Sequence, residues 1–168
     1  HRNFLDQSKD ESAWQRKDGN AMNTLEYTLT IAGTAYLRGF QVGKKFVRVQ
    51  RDFIVYSTLT FLILVLLCWY KFVPAMLLFV LPIIISLCFT AWVTYDHHSG
   101  LDTDDQYLAS YNNINRLFNI LTGNLGYHTA HHFHQGLHWS KLPELHEEIK
   151  HQIPDNLIRN EVFVFTEA

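Results

Sequence analysis

The sequence predicts an all-α, integral-membrane fold: a helical hairpin of two spans, at about 53–71 and 74–95, carrying a cytosolic helical cap in which histidines cluster. Three observations predict it. Eighteen uncharged residues, Phe53 to Tyr70, stand between Asp52 and Lys71, and twenty-four, Phe72 to Tyr95, stand between Lys71 and Asp96. Each run reaches the ~18–20 apolar residues that a helix needs to cross a hydrocarbon core of ~30 Å. Four basic residues, Lys44, Lys45, Arg48 and Arg51, precede the first run, and seven of the ten histidines lie between positions 97 and 138.

The chain reads as one domain of 168 residues in four stretches. Residues 1–20 are polar and charged, a solvated loop by composition. The beginning HRNFLDQSKDE has no Met and no apolar leader core, so the sequence reads as a piece of a longer chain. Residues 25–40 are too mixed in Thr, Gly and Glu26 to span a membrane, and are expected to lie along the bilayer surface as a helix.

The hairpin, 53–95, follows. FLILVLLCW and LLFVLPIIISLCF have no polar face, whereas a surface helix of a soluble domain alternates faces. Mean hydropathy is close to zero only because two unlike halves are averaged. The connection around Lys71 and Pro74 is short, so the spans run antiparallel and both outer ends emerge on one side. The basic cluster marks that side as cytoplasmic. Pro82 is expected to kink the second span by removing a hydrogen bond. Cys68 and Cys88 fall inside the runs and read as small apolar residues, not as a disulfide framework.

The cap, 96–168, begins with a polar stretch. Gln106 to Leu121 reads as a helix with Leu108, Tyr111, Ile114, Leu117, Phe118 and Leu121 along one side. The turn GNLG, 123–126, ends it. A short helix is expected from about Tyr127, and a further one, PELHEEIKHQ, starts at Pro143. The tail from Ile153 carries no clear signal.

On a helix His128, His131 and His132 occupy i, i+3 and i+4, an arc of roughly 100° on one face. Three imidazoles can then address one small volume, and imidazole suits Fe, Zn, Cu and Ni alike. WVTYDHHSG, at the end of the second span, offers one more ligand. His97 and His98 face about 100° apart, so one of the two shares a site with the inner face, and we take it to be His98. Asp96 either orients an imidazole through a hydrogen bond or faces solvent as a helix-end carboxylate. Thr94, Asp96, His97 and Asn124 are the residues placed behind the ligands. Isolated histidines such as His146 and His151 read as surface residues or as supports of a ligand.

Other chemistries are excluded. The pair His146-Glu147 has Lys150 where a zinc peptidase helix needs its second His, and HTAHH has Thr129 in the position of the general base. No nucleophile elbow or glycine-rich phosphate loop is present. A net charge of −2 gives no field for nucleic acid.

The motif His128-Thr129-Ala130-His131-His132 resembles the last HxxHH box of the membrane fatty acid desaturases and their di-iron hydroxylase relatives. The flanks in GYHTAHHFHQGLHWSKLPELH are similar to that family's, with an aromatic before the box and a Leu-Pro after it. The hairpin and its basic approach stand where the family places its third and fourth spans. Thr94-Tyr95-Asp96-His97-His98 fits the family's TYxxH pattern with His98 as ligand, and His1-Arg2-Asn3 resembles the end of its middle box.

The resemblance implies two non-haem iron ions held by His1, His98, His128, His131 and His132, with further ligands from boxes these residues do not contain. An isolated chain is therefore expected to hold two irons poorly. It also implies dioxygen as cosubstrate, an external electron donor of the ferredoxin or cytochrome b5 type, a lipid or acyl substrate, and desaturation of that acyl chain. Hydroxylation of an alkane, an acyl chain or a carotenoid is the alternative. From another class, a non-enzymatic module binding haem or a metal is weighed against both; haem commonly takes axial histidines from facing helices, whereas these crowd on one segment. Trp92, Tyr95, Tyr127 and Trp139 either anchor at the membrane boundary or line an acyl tunnel.

Overall fold

The computed structural model describes residues 5, 6 and 9–162. They form two compact units, one of Leu25–Trp92, the other of the residues up to Thr24 together with those from Val93 onward. The described residues are mostly helical, with one two-stranded parallel pairing among them.

In the first unit the stretch read as a single interfacial helix is two, α1 (Thr24–Gly33) and α2 (Ala35–Gly43). The break falls at Gly33-Thr34, where the weakest helix former but Pro meets a hydroxyl that bonds back to Thr30 O at 2.5 Å. Gly39 and Gly43 let α2 lie close against α3 (Val47–Tyr70): a Cβ at Gly39 would stand 2.8 Å from the Phe53 ring, and one at Gly43 would stand 3.2 Å from Gln50 Cα.

Lys71 alone separates α3 from α4 (Phe72–Ala75), which continues through a π turn, Met76–Val80, into α5 (Leu81–His98). Phe53, Tyr56 and Thr60 of α3 line a common groove with Leu87 of α5, which gives the antiparallel hairpin. At 1.5 Å per residue, α3 is about 36 Å long and the run Phe72–His98 about 40 Å, enough to cross a bilayer. No residue of α3 is buried, whereas the core helix of a soluble domain would be. The irregularity expected at Pro82 sits one turn earlier. The Pro ring offers no N–H to Leu78 O and crowds that carbonyl, and the wider π turn takes up the misfit.

In the second unit the helix expected over 106–121 is replaced by turns, a strand β1 (Asn112–Asn113), and a short α6 (Arg116–Thr122). Asparagine is the cause. Asn113 Oδ1 accepts from Asn115 N, and Asn115 Oδ1 accepts from Leu117 N and Phe118 N, so these side chains take over the backbone and cap the helix only after Asn115. Gly123, with φ of 64°, closes α6, and α7 (His128–Phe133) and α8 (Leu142–Ile149) follow as expected, α8 with Pro143 in its first turn. The tail contributes β2 (Ile158–Arg159), parallel to β1.

Ala130 of α7 packs with Leu142, Ile149, Ile153 and Leu157. Each of the larger four contributes roughly 1.5–3 kcal/mol by leaving water. His146 belongs to this side of α8 too: it is 3% exposed, 5.1 Å from the Tyr127 ring, and its Nδ1 has no partner among the described residues. It is therefore a core residue, not a surface one.

Burial, partly offset by Glu147, lowers the His146 pKa from its ordinary 6.5. The unfolded chain then binds more protons than the folded one below about pH 6.5, so stability is fully present above that pH and falls as pH drops toward the lowered folded value. The expected outcome is that His146→Leu loses less stability than the wild type between neutral pH and about pH 5. An NMR titration placing the His146 midpoint at or above 6.5 would contradict it.

Candidate metal centre

The helix α5 ends on Thr94-Tyr95-Asp96-His97-His98, and a non-helical segment, 109–113, which leads into β1, runs beside that end. His97 Nδ1–H donates to Tyr111 O at 2.8 Å, His98 Nδ1–H donates to Ala109 O at 2.9 Å, and Tyr111 N returns a bond to His97 O at 2.9 Å. A neutral imidazole whose Nδ1 proton is held by a carbonyl keeps a lone pair on Nε2. Metal-binding histidines are commonly set in this way.

The second helix is placed by a tight turn. Gly123 and Asn124 are both left-handed, with φ of 64° and 63°. Gly126 then passes so close to β1 that a Cβ there would stand 2.1 Å from Asn113 O. Only glycine fits, and the close approach brings α7 against the segment 109–113. His128 and His132, one turn apart, come to lie over one another on the face that meets His98.

The three Nε2 atoms form a nearly equilateral triangle, with edges of 3.0 Å (His98–His128), 3.1 Å (His128–His132) and 3.2 Å (His98–His132). Nitrogens bound to one metal at the usual ~2.1 Å stand about 3.0 Å apart as octahedral neighbours and about 3.4 Å apart when tetrahedral. The observed edges fall at the octahedral end. The charges agree: His128 Nδ1 faces Leu125 O at 3.3 Å, so His98 and His128 meet lone pair to lone pair, a contact that repels unless a cation joins it.

Burial, with nearby histidines adding to it, holds His128 well below the ordinary range and pushes His132 down to about 2. Both are neutral at physiological pH and able to bind metal without first losing a proton. Three neutral imidazole donors suit iron among other transition metals.

Across the chain, the model of the family described as fatty acid desaturase matches residues 1–162. The chain belongs to the fatty acid desaturase family. No curated protein and no solved structure matches it.

In this family member the residues picked out from sequence divide into three groups. His98, His128 and His132 converge. His131 stands beside them, half-buried, its ring centroid 5.7 Å from that of His128 and 5.6 Å from that of His132, outside the triangle. His1 lies outside the described residues, as do Arg2 and Asn3.

The supporting residues are arranged differently from expectation. His97 is stacked on His128, with centroids 4.1 Å apart and planes 6° from parallel. An ion held in the plane of the His128 ring would be out of bonding reach of a ring stacked on it, so His97 would back the His128 ring and not share its ion. The His97 Nε2 is buried and unpaired among the described residues. Asp96 does not face solvent, and its partner among the described residues is no imidazole: it is 4% exposed and pairs with Arg159 Nη1 at 2.9 Å. The Asn124 amide donates to Trp139 O, so that residue serves the turn. Thr94 stands one turn before His98 on α5.

Of the aromatics read as boundary anchors or as tunnel lining, Tyr95 is internal, 2% exposed and donating its hydroxyl to Met22 O at 2.7 Å, and Tyr127 is half-buried and packs on His146. Sequence reasoning passed over Asn112, Ser110 and Arg159. Ser110 and three asparagines in SYNNINR were a signal that the stretch is not an ordinary amphipathic helix.

Proposed function

We propose that this chain carries part of the di-iron centre of an oxygen-dependent desaturase that introduces a cis double bond into a fatty acyl chain. His98, His128 and His132 hold one iron, and His131 and His1 serve the other. The observation that supports this reading best is the triangle of three neutral Nε2 donors in a chain of the desaturase family.

Iron held there supplies what no side chain can, the removal of hydrogen from an unactivated alkyl carbon, with dioxygen as oxidant and a ferredoxin or a cytochrome b5-type protein returning electrons. The reaction balances when two electrons and two protons enter with each dioxygen and two waters leave beside the new double bond. The chain's own contribution is positional. Ala109 O and Leu125 O fix the tautomers of His98 and His128, His97 holds the plane of His128, and burial of the triangle keeps its donors unprotonated. The two long apolar helices support a membrane setting for a lipid substrate, and the basic residues just before and at the start of α3 support a cytoplasmic position for the histidines.

The test is made on the full-length protein, purified in detergent and also expressed in a host whose fatty acids are profiled. Two non-haem irons per chain and a new unsaturated acyl species are expected. A Soret band with one iron per haem would replace this reading with a haem-binding one, and a hydroxylated product would replace desaturation with hydroxylation.

A further inference from the structure

We infer that Asn112 is a positioning residue of the metal centre: a buried amide on β1 that supplies the N-terminal cap missing from α7 and thereby indexes His128 and His132 against His98. The inference rests on the proposed metal centre and names what holds its geometry.

The helix α7 has six residues, too few to be stable alone. Its first N–H groups have no partner within the helix, and a side chain at the N-cap normally accepts from the second or third of them. The N-cap here is Tyr127, which makes no such bond. The second residue, Thr129, instead gives its N–H to Asn112 Oδ1 at 3.0 Å, from seventeen positions upstream. Asn112 Nδ2 donates in turn to Thr129 Oγ1 at 2.8 Å, and the same hydroxyl meets Ser110 Oγ at 2.9 Å. All three residues are at most 1% exposed, so each of these bonds forms without competition from water.

Thr129 lies between the ligands His128 and His132, one residue after the first and three before the second. Asn112 lies in the segment whose carbonyls, Ala109 O and Tyr111 O, hold His98 and His97. One buried segment therefore grips α5 by its carbonyls and α7 by an amide. The edges of the triangle are set by that double grip, and a shift of α7 by a few tenths of an ångström would open it. Residues that orient ligands from behind typically contribute about 10–100-fold to metal affinity.

The experiment uses the full-length protein in detergent, freed of metal and titrated with Co(II), whose ligand-field spectrum reports the number and geometry of the nitrogens. Asn112→Ala is expected to keep the helical content of the wild type, bind Co(II) about 10–100-fold more weakly, and show an altered spectrum at saturation. Thr129→Val, which removes only the hydroxyl, should weaken binding by less, and Thr129→Ser should restore what Thr129→Val loses. Wild-type affinity and an unchanged spectrum in Asn112→Ala would overturn the inference. If that variant does not fold, Thr129→Val decides by the same two measurements. A wild type that takes up no Co(II) would overturn the metal centre itself, and the role of Asn112 with it.

Discussion

Replacing His132 by alanine in the full-length protein is expected to abolish turnover and to remove the iron held by the triangle, while His151→Ala leaves both largely unchanged. The contrast follows from position. His132 is 7% exposed with Nε2 3.1 and 3.2 Å from two other donors, whereas His151 lies in an exposed turn after α8. Loss of a ligand should exceed the effect of disturbing a support, so more than about 100-fold in turnover is expected. His131→Ala tests the proposed division between two irons: its ring stands outside the triangle, so the variant is expected to keep an iron at His98, His128 and His132 and to lose the other. Iron counting with Mössbauer spectroscopy reads both results. A His132→Ala protein with full activity would remove the ligand assignment.

These effects trace to features that differ in how far sequence exposes them. The hairpin was legible because absence of charge over eighteen and twenty-four residues is a one-dimensional property, and so was the pairing of His128 with His132, which follows from helical period alone. That His98 joins them depends on a contact across thirty positions; helical geometry admitted one of His97 and His98, and the family's TYxxH pattern pointed to the second of them. The stretch 106–121 was misread for a physical cause. Its apolar residues do recur at helical spacing, but Asn112, Asn113 and Asn115 bond to backbone more favourably than a helix there would allow, and the buried Asn112 is committed to Thr129. Periodicity counts which side chains are apolar; it does not register what a buried amide will hold.

Arg159 is the clearest case of a residue that no local pattern marks, and its replacement by methionine is expected to be among the most destabilising changes in the second unit. Its Nη1 pairs with Asp96 at 2.9 Å, with side-chain exposures of 18% and 6%, and its guanidinium lies 3.7 Å from the centroid of the Tyr111 ring. Methionine would retain much of the stem's volume and leave Asp96 charged, buried and unpaired, a defect that typically costs about 3–5 kcal/mol. The consequence reaches the histidines through Tyr111, whose carbonyl holds His97 and whose ring carries the guanidinium. Asp96→Asn alone should cost less, because the neutral amide still accepts from Arg159. Combining Asp96→Asn with Arg159→Met should recover most of the loss, since no charge then remains without a partner. Chemical unfolding of the four proteins, arranged as a double-mutant cycle, measures the coupling directly. Additive losses would mean that the two residues act separately, and that the end of α5 is held by the segment 109–113 alone.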